Sequence, residues 1–258
     1  MKDRLQLKDF LKNGHRIYRP NLSIDCAIFG YLDGELQILL VKNKILTKWC
    51  LPGGYVEKTE TLDTAAARIT LERTGIRNLF LRQFKAFGNP GRNKVFPFDE
   101  KNFFEITGVE ASALKWLTGD TVTIGFYAIS DVIQSKPEAD ILSSECAWFP
   151  VENLPILGFD HLEIIQEALT TMRMQLYHFP IGKNLLPKKF TLKEIKIFYE
   201  AMSGKKLNPT NFPNKLIALG LIKKTSTKKH IGPHRAPTFY TFDDKKYQRA
   251  LLDGLVLV

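Results

Sequence analysis

The stretch from Trp49 to Gly75 constrains this chain more than any other. A strand-like run, Trp49-Cys-Leu-Pro-Gly-Gly-Tyr-Val56, is interrupted by Gly53-Gly54. From Thr61 to Thr74, Leu62, Ala65, Ala66 and Ile69 recur with Arg68 and Glu72 at three- and four-residue spacing, the period of a helix. Gly75 follows as a C′ residue, free to take the positive φ that ends a helix. Upstream, Ile24, Cys26 and Ile28 alternate, Asp33-Gly34 signals a hairpin, and Leu36, Ile38 and Leu40 alternate again.

The spacing inside this block is specific. Gly54, five residues, Glu60, seven residues, Arg68, then Glu72, Gly75 and Ile76 match the frame of the Nudix box. Trp49 to Gly54 resembles the usual approach to that box. Over roughly residues 20–177 the chain resembles the Nudix family, which implies an α/β/α sandwich around a mixed sheet. In a working box, three glutamates at helix offsets zero, three and four share one face. They hold Mg²⁺ or Mn²⁺ and set a water against a diphosphate, since hard cations take several anionic oxygens.

Here those three positions are Ile69, Glu72 and Arg73. Ile69 offers no ligand, and Arg73 replaces a carboxylate with a fixed positive charge. The expectation is therefore no metal, no cofactor and no catalytic residue, with Glu72 in a salt bridge to Arg68 or Arg73. The alternative is a hydrolase of a nucleoside diphosphate derivative with a rearranged Mg²⁺ shell. That reading would call on Glu72, Glu60 and Glu57, with Glu145 as a further carboxylate. A Nudix cleft without its metal can still bind a small molecule. Phe84 to Arg92 resembles the loop after the box in Nudix-related regulators. Phe87 could stack on a ring and Arg92 hold a phosphate or hydroxyl, with Arg68, Glu72 and Arg73 beside them. The plainer reading puts Phe87 in the core and Arg92 on the surface.

Charge divides the chain. Residues 1–177 hold 21 Lys+Arg and 22 Asp+Glu, a net −1, and residues 178–258 hold 16 and 5, a net +11. Such asymmetry suggests a polyanion partner for the basic part. Residues 178–189, with two prolines and a glycine, read as a linker. After it, Thr191 and Glu194 form a capping box, and Leu192, Ile195, Phe198 and Met202 line a helix that Gly204 can stop. A second helix runs from about Asn208 or Thr210 to Leu219, with Thr210 as N-cap. Phe212, Leu216 and Leu219 face inward there, leaving Asn211, Asn214, Lys215 and Ala218 outside. Leu221–Thr225 and Thr238–Phe242 read as strands around a basic loop. This is the outline of a winged helix. Thr210, Asn211, Asn214 and Lys215 would meet the major groove of double-stranded DNA, and Lys228, Lys229 and Arg235 its phosphates or minor groove. His230 and His234 are no metal pair, because Gly232-Pro233 forbids a helix between them.

The order of parts resembles the Nudix-related transcriptional regulator family over nearly the whole chain beyond residue 20. The resemblance implies an α+β chain: a sensor domain over 20–177 and a winged helix-turn-helix over 190–258 that binds operator DNA as a homodimer. It implies a small-molecule effector, either an ADP-ribose-like nucleotide or a pentose. Residues 93–120 depart from that family as an aromatic-rich insertion (Phe96, Phe98, Phe103, Phe104, Trp116), read as a lid over the cleft or a dimer contact. In the N-terminal extension, residues 1–19, Leu7, Phe10 and Leu11 share a helical face that could pack on a partner subunit. Asp160 reads as an N-cap and His161 as a structural first-turn residue. The three cysteines form no CxxC, and no apolar run nears the roughly 18 residues of a membrane span. Together with an N-terminus unlike a signal peptide, this points to the cytoplasm.

Overall fold

The computed structural model describes residues 4–44, 46–92, 100–110, 116, 119–133, 135, 137–140, 142–176, 178–180, 183, 185–228 and 236–254. Lys229, His230, His234, Arg235, Phe96 and Phe98 lie outside them, and of Lys228 only the backbone is described. The chain forms two compact units, Met1–Gly30 with Gln37–Leu169, and Tyr31–Leu36 with Thr170–Val258. Among the described residues, no helix is long and apolar enough to cross a membrane.

The first unit is built on a seven-stranded mixed sheet. Its strands are β1 (Tyr18–Leu32), β2 (Glu35–Asn43), β3 (Trp49–Cys50), β4 (Gly53–Glu57), β5 (Arg82–Phe87), β6 (Val122–Ser130) and β7 (Ser143–Pro150). β1 is central, hydrogen-bonded to β2, antiparallel to β4 and parallel to β6. Alternation along β1 sends Ile24, Cys26 and Ile28 to one face, where they meet Ala65, Ala66 and Ile69 of α2 (Leu62–Thr74). Asp25 looks the other way, toward α4 (His161–Gln175), and Lys85 of β5 pairs with Glu167 of the same helix at 3.1 Å. Helices therefore cover both faces of the sheet. Asp33 and Gly34 take φ 51° and 90°, the left-handed pair that a two-residue hairpin turn requires.

Several sequence expectations need correction. The break before the box falls at Leu51-Pro52, and Gly53-Gly54 open β4 instead of interrupting it. Gly53 is there for space: a Cβ would lie 2.2 Å from Asp25 Oδ1. The N-terminal helix α1 (Arg4–Ile17) packs within its own chain. Leu7 and Leu11 are buried with Phe103 and Val109, so they do not wait for a partner subunit. Phe103 belongs to α3 (Glu100–Thr107), so the described part of the insertion is a helical support for α1.

The second unit holds α5 (Leu192–Ser203), α6 (Asn211–Ala218), β8 (Ile222–Lys228), β9 (Thr238–Phe242) and α7 (Asp244–Asp253). The Thr191/Glu194 capping box is reciprocal, and Gly204 ends α5 at φ 68°. β8 and β9 are antiparallel, and Phe190 joins Tyr240 of β9 through an isolated bridge. Phe190, Phe198, Tyr199, Phe212, Leu216 and Phe242 form the buried centre. The helix α7, which hydropathy did not show, is capped by Asp243 and buries Tyr247. Thr210 does not cap α6 with its side chain: its backbone is already helical, at φ −103° and ψ −50°. Asn208 does this instead, its Oδ1 accepting from the N–H groups of Thr210 and Asn211 at 3.0 and 2.8 Å.

Candidate functional site

The motif helix α2 is bounded as its sequence demands. Thr61 and Thr64 form a reciprocal capping box at one end, and Gly75 ends it at φ 72°. From its outer face Arg68 reaches into the loop after β4. Its guanidinium bonds Glu60 through Nε (3.0 Å) and Nη2 (2.5 Å), donates from Nη1 to Glu72 (3.2 Å) and lies 3.6 Å from Glu57. Nη2 also donates to Tyr55 O at 2.9 Å. Burial resists the charge on Glu60, but the Arg68 hydrogen bond and the backbone N–H of Glu57 outweigh it and hold its carboxyl below the usual range. Glu57, Glu60 and Glu72 thus converge, as a metal site would need, but on a guanidinium.

The other two motif positions complete the departure. Ile69 is buried against Gly54. Arg73 turns away to form a buried ion pair with Asp140. Glu145, the further candidate carboxylate, is paired with Lys42 at 2.8 Å. Among the described residues, no group of three or more His, Cys, Asp and Glu side chains is placed to hold a metal ion. With Arg68 at the focus of the carboxylates, the donor set present does not fit Mg²⁺. Burial pushes the thiols of Cys26, Cys50 and Cys146 up to about 12, so none is a thiolate at neutral pH.

The structure buries both of the candidate ligand residues, Phe87 at the end of β5 and Arg92 beyond it. Phe87 is buried, its ring 5.9 Å from that of Phe84, so it belongs to the core. Arg92 is buried as well, and its guanidinium grips Asp160 through two bonds of 2.7 and 2.6 Å. That contact occupies the carboxylate that the sequence assigns to capping α4. Asp25 lies 3.8 Å from Arg92 and accepts from Thr123 Oγ1 at 2.8 Å. His161 Nδ1 accepts from Leu51 N–H at 2.8 Å, while Nε2 faces Asp25 at 3.6 Å. Burial lowers the pKa of His161, so the ring is neutral and structural. Burial pushes the Tyr55 hydroxyl up to about 12, with the charge of Asp25 adding to the shift and that of Arg92 opposing it. Sequence reasoning missed Asp25, Tyr55 and Asp140, because their partners lie too far along the chain for any spacing rule.

In the second unit, α6 buries Phe212, Pro213 and Leu216. Thr210, Asn211, Asn214 and Ala218 are exposed, and Lys215 is half-buried. Pro213 sits in the first turn, where its missing N–H costs no helical bond. Lys223 and Lys224 of β8 are exposed too. The unit therefore presents a short polar helix with two amides at its outer face, next to a basic strand pair.

Comparison with known proteins agrees with this division. Residues 23–168 match the model of the NUDIX domain, and residues 182–242 that of the NrtR DNA-binding winged helix domain. The ADPR responsive transcriptional repressor NtrR of Acinetobacter baylyi is 28% identical over 227 residues, 85% of this chain and 81% of that protein. An ADP-ribose pyrophosphatase of Methanocaldococcus jannaschii is 29% identical over 169 residues, 64% of this chain and 85% of that one. The crystal structure of Shewanella oneidensis NrtR with a 27mer DNA shares the fold, at TM-score 0.63 and 24% identity over 88% of this chain and 95% of that chain. With the NUDIX match spanning more than half its length and the winged-helix match following it, the chain belongs to the Nudix family, among the Nudix-related transcriptional regulators.

Proposed function

We propose that this protein is an ADP-ribose-responsive transcriptional repressor, acting as a cytoplasmic homodimer on double-stranded operator DNA. The observation that carries the reading is the pairing of the box carboxylates: Glu57, Glu60 and Glu72 converge on the Arg68 guanidinium. The similarity to an ADPR responsive repressor over 85% of the chain supports ADP-ribose as the effector in preference to a pentose. Asn211, Asn214 and Lys215 of α6 read base edges, and Lys228, Lys229 and Arg235 meet phosphate. ADP-ribose controls DNA binding only through a difference in its affinity for the free and DNA-bound states.

The test is fluorescence anisotropy on DNA from upstream of the protein's own gene, against scrambled DNA, at about 150 mM salt, where nonspecific binding is weak. The expected result is a preference for the upstream DNA that ADP-ribose changes and pentoses do not. Equal, salt-labile binding to both DNAs would overturn the reading. A second reading, hydrolysis, has one support, the similarity to an ADP-ribose pyrophosphatase. It requires Mg²⁺- or Mn²⁺-dependent release of AMP from ADP-ribose that Glu72→Gln abolishes.

A further inference from the structure

The rotation of α6 about its own axis is fixed by its surroundings. The Phe212 ring packs 4.9 Å from that of Tyr199, and Leu216 is fully buried. Glu200 of α5 braces the turn between the two helices. Its Oε1 accepts from the Leu207 N–H at 2.8 Å and from Lys196 Nζ at 2.9 Å. Asn208 Oδ1 then takes the N–H groups of Thr210 and Asn211.

A helix held in this way shows one definite outer face. Asn211, Asn214 and Ala218 stand three and then four residues apart, so they share a stripe, and all three are exposed. Ile217, 39% exposed, borders the stripe on one side, and Lys215, half-buried, borders it on the other. Among the described residues, the side-chain amides of Asn211 and Asn214 make no hydrogen bond, so their donors and acceptors are unspent. The chemistry of this face is one-sided. An asparagine amide offers a donor and an acceptor together, which match N7 and the N6 amino group of adenine in the major groove. An aliphatic group suits the C5-methyl of thymine. Guanine presents two acceptors there and suits Arg or Lys. α6 carries no arginine, and Lys215 is its one cation.

We infer that α6 reads an A·T-rich half-site, with Asn211 and Asn214 pairing with adenines and Ala218 and Ile217 covering thymine methyl groups. A helix of eight residues is about 12 Å long and so spans roughly three or four base pairs. Lys215 leaves room for one G·C pair at the border of that core. The inference rests on the reading that α6 enters the major groove of operator DNA.

Selection of sites from a random double-stranded DNA library by the full-length protein tests it, followed by titration of the selected duplex carrying modified bases. The selected core is expected to be A·T-rich. Exchange of a contacted thymine for deoxyuridine removes only the methyl group and should weaken binding about fourfold. That loss should disappear in Ile217→Ala when the methyl is the one Ile217 covers. Exchange of a contacted adenine for 7-deazaadenine removes the N7 acceptor and should weaken binding about fivefold or more, and that loss should disappear in Asn211→Ala or Asn214→Ala. All three side chains are exposed, so their truncation leaves no cavity in the unit. A G·C-rich core overturns the inference, and so does an A·T-rich core indifferent to both modified bases, which would be read through its shape. Enrichment of no sequence at all overturns the operator reading itself, and the two failures are distinct.

Discussion

The helices α2 and α6 carry the chain's two functional signatures and use their polar side chains in opposite ways. On α2, Arg68, Glu72 and Arg73 are all paired within the fold, with Glu60, Glu57 and Asp140 as partners. On α6, Asn211 and Asn214 face solvent. A side chain can serve a ligand only with hydrogen-bonding capacity that the fold has not already taken. Matching the spacing of a motif therefore says where a site lies, and pairing says what the site can still do.

The largest expected effect breaks the α2 side of this contrast. The Arg73 and Asp140 side chains are 13% and 3% exposed, so removing one leaves the other as an uncompensated buried charge. Arg73→Leu should destabilise the first unit by about 3–5 kcal/mol. The double variant Arg73→Leu/Asp140→Leu should recover most of that loss. Trp49, Trp116 and Trp148 all lie in the first unit, so tryptophan fluorescence during urea unfolding follows it. A single-variant loss under about 1 kcal/mol would mean that the pair contributes no more than a surface bridge.

The α6 side is tested next. Asn214→Ala should cost roughly 1–3 kcal/mol on operator DNA and less on random DNA if the amide reads a base. Lys229→Ala should weaken both alike and flatten the salt dependence by about one unit of slope. Equal losses for Asn214→Ala on both DNAs would remove α6 from base readout, and the contrast between the helices would lose its functional half.

Local signals were legible in the sequence. The Thr191/Glu194 box, the Asp33-Gly34 turn and the stops at Gly75 and Gly204 depend on residues a few positions apart, and each stands where the spacing puts it. The salt bridge of Glu72 to Arg68 was legible too, because the two stand four apart on one helix face. What was not legible is long-range pairing. Arg92 meets Asp160 across 68 positions, and Arg73 meets Asp140 across 67. A lone arginine in a loop reads the same whether it meets a phosphate or a buried aspartate. Phe87 stayed open between two readings for a related reason: an aromatic at a strand end is core or ligand wall according to what lies across the sheet.

The buried network of Asp25, Arg92, Asp160 and His161 gives a pH dependence. Burial holds the pKa of His161 below its usual value, with Arg92 adding and Asp25 and Asp160 opposing. The unfolded histidine takes up its proton near about 6.5 and the folded one only at lower pH. The stabilisation is therefore complete above the unfolded value and is lost as pH falls through the folded one. Glu60, also lowered, adds loss of the same sign in the more acidic carboxylate range. The urea midpoint of the first unit should fall between pH 7.5 and 5.5, and His161→Asn should fall less over that interval. An asparagine Oδ1 can still accept from Leu51 N–H, which separates the charge from the hydrogen bond. An identical pH slope in the variant would place the titration elsewhere.

The smallest effect sharpens the comparison at the start of α6. Sequence preference makes Thr210 the N-cap, and its counterpart on α2, Thr61, does cap through its side chain. Thr210 makes no such bond, and Asn208 reaches over it to hold the first two N–H groups. Thr210→Ala should then change stability by a few tenths of a kcal/mol, and Asn208→Ala should cost about 1 kcal/mol, the usual worth of a cap. Thermal unfolding of the second unit followed by far-UV circular dichroism reads both. The same pair bears on function: a threonine hydroxyl that the fold leaves unused at the first turn stays available to a DNA phosphate. Thr210→Ala should therefore weaken DNA binding while leaving the melting curve in place, whereas Asn208→Ala should move the curve first. A reversed order, with Thr210→Ala moving the curve and Asn208→Ala silent, would mean that the two helices are capped alike, and that α6 too takes up its first polar side chain in its own fold.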